Sequence, residues 1–276
     1  MKKLLTLLLV AMLSISLVAC GGGEEGDDPG TKKILKVGME CNYAPYNWTQ
    51  SEASETSVAL ASGGYADGYD VQIAKKIADG LGMDLEIVKT EWDGLAMSLD
   101  SGKIDAIIAG MSPTAERAVT IDFTAPYYES ELVIVVKKDS PYAQAKQLSD
   151  LTGSKITGQL NTFHYTVIDQ IAGVEKVTAM ETFPAMIVAL TSGKIDGYIS
   201  EKPGAVSAMA SNSDITYVEF EDGKGFETSK EDVAISVGLK KGSELTSQID
   251  EILNGISVED REQLMNDAVA NQPLSE

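Results

Sequence analysis

From Tyr69 the chain reads YDVQIAKKIADGL, and Val71, Ile73, Ala74, Ile77, Ala78 and Leu81 recur at the three- and four-residue spacing of one helix face. The spacing predicts an amphipathic helix over 69–81, ended by the glycines at 80 and 82. Shorter runs keep a different rhythm. ILKVG at 34–38 alternates, 85–88 reads as the next strand, and LVIVV at 132–136 is an unbroken β-branched run that fits a buried strand. Further strands are expected at 155–159 and 233–239, with 174–180 and the second SGKID unit between them. Leu160-Asn161-Thr162 leads into a helix carrying Phe163, Val167, Ile168 and Ile171, and 245–256 is amphipathic. Residues 39–48 form an aromatic-rich loop, 49–67 is polar and glycine-containing and reads as a long surface loop, and 121–128 reads as a partly extended connector. Strands and helices alternating in this way predict an α/β chain with open, mostly parallel sheets, whose ligands sit at strand carboxyl ends.

The densest punctuation falls in LDSGKIDAIIAGMSPTAER, residues 99–117. A helix opened by Trp92-Asp93-Gly94 and carrying Leu95, Met97 and Leu99 closes at Ser101-Gly102. IDAIIA at 104–109 then fits a strand buried on both faces. Gly110-Met111-Ser112-Pro113 turns the chain into a second helical pattern, with Ser112 suited to the N-cap, Pro113 to the first helical position and Arg117 about one turn in. Strand end, glycine turn, helix N-terminus and guanidinium together make an anion site able to take a carboxylate bidentately. The same grammar returns at 185–202, where SGKID recurs and Lys194 lies 91 positions after Lys103. In both copies an apolar helix ends at Ser-Gly and a strand delivers polar residues at its carboxyl end. These are Ser112 and Arg117 in the first copy, Ser200 and Glu201 in the second. A repeat this long suggests two similar α/β lobes rather than a solenoid. Taken alone, SGKID is also a good helix-to-strand turn used twice.

Composition changes the picture in three places. A net charge of −20 with no basic stripe excludes nucleic acid as a partner. Two cysteines and one histidine in 276 residues leave no zinc site, and no metal or other cofactor is called for. The first twenty residues carry Lys2 and Lys3, then an apolar stretch too short to span a bilayer, and end in Leu17-Val18-Ala19-Cys20. That ending resembles the bacterial lipoprotein cleavage box, whose cysteine is lipidated; an ordinary secretory signal is the other reading. Residues 21–33 begin as GGGEEGDDPG, a flexible charged tether. With Cys20 lipidated, Cys41 is left alone and reads as a small buried thiol.

Three stretches now carry a resemblance: GMECNYAPYNW at 38–48, GYDVQIAKKIA at 68–78 and TEWDGLAMSLDSGKIDAIIAGMSPTAERAVTIDFTAPYY at 90–128. In this order the chain, from Ile34 to its C-terminal helices, resembles the bacterial extracellular solute-binding proteins of ABC importers, in particular the polar amino-acid family. The resemblance implies a two-lobed periplasmic-binding-protein-like α/β fold, with two mostly parallel sheets joined by two hinge strands. Lobe 1 would comprise 34–128 with 235–276, lobe 2 would comprise 132–228, and 129–131 and 229–234 would be the hinge connections. Arg117 resembles the family's grip on a ligand α-carboxylate, helped by Ser112 and by Thr162 at the second-lobe helix start. Glu201 stands where the family usually has an aspartate for the α-ammonium, one methylene longer. Tyr43 and Trp92 resemble aromatic walls around the ligand side chain, Glu40 takes the place of an acid at its far end, and Ala109 and Gly110 would offer backbone groups.

The resemblance and the leader together imply a monomeric, lipid-anchored protein on the extracellular face of the bacterial membrane, handing a free amino acid to a permease and its ATPase. Two aromatic faces and a distal acid favour a basic ligand, arginine before lysine or histidine. Glutamine is the alternative ligand. Enzymes share this fold, and a buried Glu201 could serve as a general acid in a dehydratase- or lyase-like reaction. The bland alternatives are a surface ion pair for Arg117, a salt bridge beside Lys202 for Glu201, core packing for Tyr43 and Trp92, and a helix-surface place for His164. Gln159 either lines the cleft or ends its strand.

Overall fold

LVIVV is apolar throughout because the strand that contains it, Leu132–Lys137, feeds two cores. Val133 and Val135 face a large core that includes Phe183, Met186, Leu190 and Tyr198, while Ile134 and Val136 face a second one with Leu151, Ile156 and Ile168. In a strand, successive side chains take opposite faces, so a sheet covered on both sides has no polar rhythm. The computed structural model of the chain describes residues 32–273. The leader over 1–20, Cys20 and the tether up to residue 31 lie outside the described residues.

Two five-stranded sheets repeat one plan. The first runs Asp84–Lys89, Ile34–Met39, Ala106–Ile107, Gly238–Lys240, Ile121–Phe123. The second runs Glu175–Lys176, Lys155–Thr157, Gly197–Glu201, Leu132–Lys137, Ile215–Val218. In each, the first three strands are parallel and the fourth is antiparallel to both its neighbours. That reversed strand is the first sheet strand after the chain crosses from the other lobe. The crossings themselves pair: Tyr128–Glu129 lies antiparallel to Ala234–Ile235. The fold is thus the expected two-lobed α/β architecture, with mostly parallel sheets joined by two hinge strands.

SGKID does the same work in each lobe. Its glycine, Gly102 or Gly193, takes a left-handed φ of 75° or 74° after a helix, Leu95–Asp100 or Phe183–Thr191. The following lysine N–H returns to the helix, Lys103 to the Ser98 carbonyl and Lys194 to the Ala189 carbonyl, each at 2.9 Å. The aspartate then clasps the adjacent strand: the Asp105 N–H donates to the Lys36 carbonyl and its Oδ2 accepts from the Lys36 N–H, both at 2.8 Å. Asp196 makes the identical pair with Lys155. Asp105→Ala and Asp196→Ala should each cost about 1–2 kcal/mol, a charge-assisted bond at the surface, and should add in the double variant. Urea denaturation checks this; a loss under about 0.3 kcal/mol in either would contradict the clasp.

The helix Tyr69–Leu81 forms over the expected residues and ends on Gly82 at φ 67°. Two expectations are corrected. Residues 49–67 are not one loop but carry short strands, Asn47–Gln50, Val58–Ala59 and Tyr65–Asp67, which with Asn42–Tyr43 form a small antiparallel sheet. The helix expected from Pro113 is absent: only a 3₁₀ turn, Arg117–Val119, forms there. Thr114 Oγ1 accepts from the Arg117 N–H at 3.4 Å, and Val119 and Thr120 are β-branched, so side-chain competition and χ1 restriction both work against an α-helix. At the other end of the chain the helix Val258–Asn271 runs to Gln272, which exchanges hydrogen bonds with Ser207 on the lobe 2 helix Lys202–Ser211.

Candidate functional site

Residues at or beyond the carboxyl ends of parallel strands of both sheets line one cavity. Tyr43, Trp92, Ala109, Gly110, Ser112 and Arg117 come from lobe 1, and Thr162 and Glu201 from lobe 2. Gln159, Phe163 and His164 complete it. The cavity holds about 10 Å³, the order of space that one water needs and too little for an amino acid as it stands. Larger clefts of about 520 and 590 Å³ flank the crossing strands, but neither is lined by a buried guanidinium.

Arg117 reaches the cavity from its 3₁₀ turn without a helix N-terminus behind it. Nη1 donates to the Ser112 carbonyl at 3.0 Å, Nη2 donates across the lobes to the Asn161 carbonyl at 3.2 Å, and the guanidinium lies over the Trp92 ring, 5.0 Å from its centroid. Among the described residues, no ion pair includes Arg117. Burial lowers its pKa to about 10, so it remains a cation at neutral pH with carbonyls and an aromatic face for company. Ser112 uses its hydroxyl on the Asp232 carbonyl at 2.9 Å rather than as a helix cap, which ties this loop to the short helix Lys230–Val233 just before the returning crossing strand. Thr162 Oγ1 donates to the Gln159 carbonyl at 2.7 Å and sets the turn before the short helix Phe163–Thr166.

Glu201 ends the wholly buried strand Gly197–Glu201 and is 3 % exposed. One carboxylate oxygen accepts from the Tyr43 hydroxyl across the lobes, and the other lies 2.9 Å from His164 Nε2. The His164 contact lies off the N–H direction, since neither ring nitrogen has a hydrogen-bond partner among the described residues. Burial, with Arg117 adding to it, drives the His164 pKa down to about 3, so the imidazole is neutral. Burial pushes Glu201 up to about 8, a rise that a backbone hydrogen bond only partly opposes. Lys202, the next residue, turns away to pair with Glu219.

Tyr43 is a wall with its own backing. Its ring stacks on Phe183 at 4.0 Å between centroids and 11° between planes, and Tyr46 packs 4.9 Å away. Gly110 must be glycine: its φ is 63°, and a Cβ there would sit 3.2 Å from the Tyr43 ring. Glu40 does not line the cavity. It sits behind Gln159, whose amide donates to it at 3.1 Å, and its second oxygen has no partner among the described residues. Burial raises Glu40 to about 7, opposed by the Gln159 bond and reinforced by Glu91, Asp93 and Asp70.

His164, expected on a helix surface, is instead buried against Glu201, and Phe163 joins it. Their signal was positional: they follow Thr162 directly, on the turn that opens the lobe 2 helix. Among the described residues no helix is long and apolar enough to cross a membrane.

The chain is similar to proteins of known kind. The chain is 33% identical over 232 residues to a Campylobacter jejuni protein named "Probable histidine-binding protein", covering 82% of this chain and 85% of that one. It is 28% identical to an arginine-binding extracellular protein of Bacillus subtilis, over 92% of both chains. The crystal structure of an amino acid ABC transporter substrate-binding protein from Streptococcus pneumoniae bound to L-arginine superposes with a TM-score of 0.72 at 25% identity, covering 86% of this chain and 94% of that one. The family model for bacterial extracellular solute-binding proteins, family 3, matches residues 35–266, and the chain belongs to that family.

Proposed function

We propose that the protein is the receptor of an amino-acid ABC importer, capturing a basic amino acid and delivering it to a permease driven by its ATPase. The observation that carries this is the pairing within one cavity of a guanidinium without a carboxylate, Arg117, and a buried carboxylate without a cation, Glu201. A free α-amino acid supplies both missing charges. Its carboxylate takes the fork of Arg117, and its ammonium displaces Tyr43 or His164 from Glu201. The carbonyl of Gly110 is a further acceptor, since its N–H is directed at Asp70.

The far end of the site favours a cation. One face of Trp92 is covered by the Arg117 guanidinium, and the unpartnered oxygen of Glu40, with Glu91 and Asp93 nearby, stands behind Gln159. Arginine comes first because its planar head can stack as well as pair, with lysine and histidine after it. The lobes, 34–128 with 235–276 and 132–228, part and close about 129–131 and 229–234. Lipidation at Cys20 holds a monomer at the outer face of the cell membrane through the tether. Calorimetric titration of arginine, lysine, histidine, glutamine and glutamate tests the ligand, with the tightest heat expected for arginine. Tight binding of glutamine, whose amide would meet Gln159, with none for arginine would replace the basic ligand.

A further inference from the structure

We propose that Glu201 makes closure of the two lobes conditional on a positive charge: with its carboxylate ionised the cleft stays open until a ligand ammonium arrives, and a proton on Glu201 is the only substitute. The inference rests on the reading of Glu201 as the ammonium partner and adds how that partner controls the motion.

The contact that closes the cleft over Glu201 is made by groups that carry no charge. Tyr43 comes from lobe 1, Glu201 and His164 from lobe 2, and their meeting takes the carboxyl to 3 % exposure. Each neighbouring element offers a group, and none is a cation for Glu201. The hairpin offers the Tyr43 hydroxyl, and the short helix offers a neutral imidazole that makes no hydrogen bond. Arg117, on the lobe 1 turn, is held by the carbonyls of Ser112 and Asn161, and Lys202 is paired with Glu219. Closing on an ionised Glu201 would therefore bury an anion with one hydroxyl and one backbone N–H as its donors and no cation, which costs more than burying the neutral acid. With the lobes parted the carboxyl meets water and titrates in the ordinary carboxylate range, near its usual 4.5; with them closed it titrates at about 8.

The sign comes from linkage. The closed form binds the proton more tightly, so acid favours closure, and the effect is lost as pH rises through about 8. Between those two values the closed-to-open ratio of the ligand-free protein changes by about tenfold per pH unit. Glu40 is the other buried acid at the lobe contact; burial raises it to about 7 against the Gln159 bond, so it adds a smaller response of the same sign, lost as pH rises through about 7.

Small-angle scattering of the protein without added amino acid, at pH 8 and pH 5.5, tests this. The radius of gyration should be larger at pH 8 and fall at pH 5.5. Glu201→Gln should be more contracted than the wild type at pH 8 and keep at most the smaller response of Glu40, and Glu40→Gln should keep most of the wild-type response. Tyr43→Phe keeps the ring stack on Phe183 but loses the hydroxyl, and should be less contracted than the wild type at pH 5.5; it serves also if Glu201→Gln fails to fold. An unchanged wild-type radius, a Glu201→Gln variant as pH-sensitive as the wild type, a Glu40→Gln variant that loses the response, or a Tyr43→Phe variant matching the wild type would each overturn the proposal. An acid response in a protein that binds no amino acid would sink the receptor reading alone, and binding without an acid response would sink this one alone.

Discussion

Replacing Arg117 by alanine is expected to remove measurable amino-acid binding while the lobes stay folded. Truncating one partner of a desolvated, charge-assisted pair costs on the order of 2–5 kcal/mol, because the ligand carboxylate is left buried without its cation. That is a loss of roughly thirtyfold to several thousandfold in affinity. The fold should tolerate the change because Arg117 donates only to two carbonyls, Ser112 and Asn161, which accept water equally well when the lobes part. Arg117→Lys should fall between, since an ammonium keeps the charge but not the planar fork. Calorimetry with the wild-type ligand and a thermal melt separate the two effects. Near-native affinity in the alanine variant would remove Arg117 from the site.

Asp70→Ala is expected to cost about 3–5 kcal/mol of stability, the largest loss from any single polar side chain outside the cavity. Asp70 is fully buried at the first turn of the helix Tyr69–Leu81. It accepts from Asn47 Nδ2 at 2.8 Å, from the Tyr127 hydroxyl at 2.7 Å and from the Gly110 N–H. One carboxylate thus fixes the aromatic hairpin, the start of the crossing strand and the backbone of the site loop. Alanine would orphan all three donors at once. Burial lifts the Asp70 pKa to about 6 even against those bonds, so Asp70→Asn, which keeps the shape and one acceptor, should lose less. Chemical denaturation of the two variants decides it; a loss below about 1 kcal/mol for alanine would mean that the network relaxes or refills with water.

The parts legible in the sequence are those where one local rule fixes the outcome. Helix 69–81 is legible because its period, glycine stop and buried face agree, and the two SGKID turns because a left-handed glycine and a clasping aspartate are local chemistry. Arg117, Ser112, Thr162, Trp92, Tyr43, Gly110 and Glu201 do converge on one cavity. The misses have separate causes. The small sheet over 42–67 is made of strands of two to four residues, too short to show alternation. The helix at Pro113 had good capping letters, but Thr114 took the N–H that a helix needed. His164 and Gln159 acquire their partners, Glu201 and Glu40, only through the meeting of segments far apart in the chain, which no local pattern encodes.

The place of Trp92 under the Arg117 guanidinium has an optical consequence. The chain has two tryptophans. Trp48 is buried in the small sheet, its indole N–H held by Gln50 Oε1 at 2.8 Å, away from the moving contact. Trp92 lies 5.0 Å from a cation that a ligand carboxylate would neutralise. Indole emission follows the local electric field, so filling the cleft should change the light from Trp92 more than that from Trp48. Occupancy is thereby written into the protein's own fluorescence, readable from one ring with no dye attached.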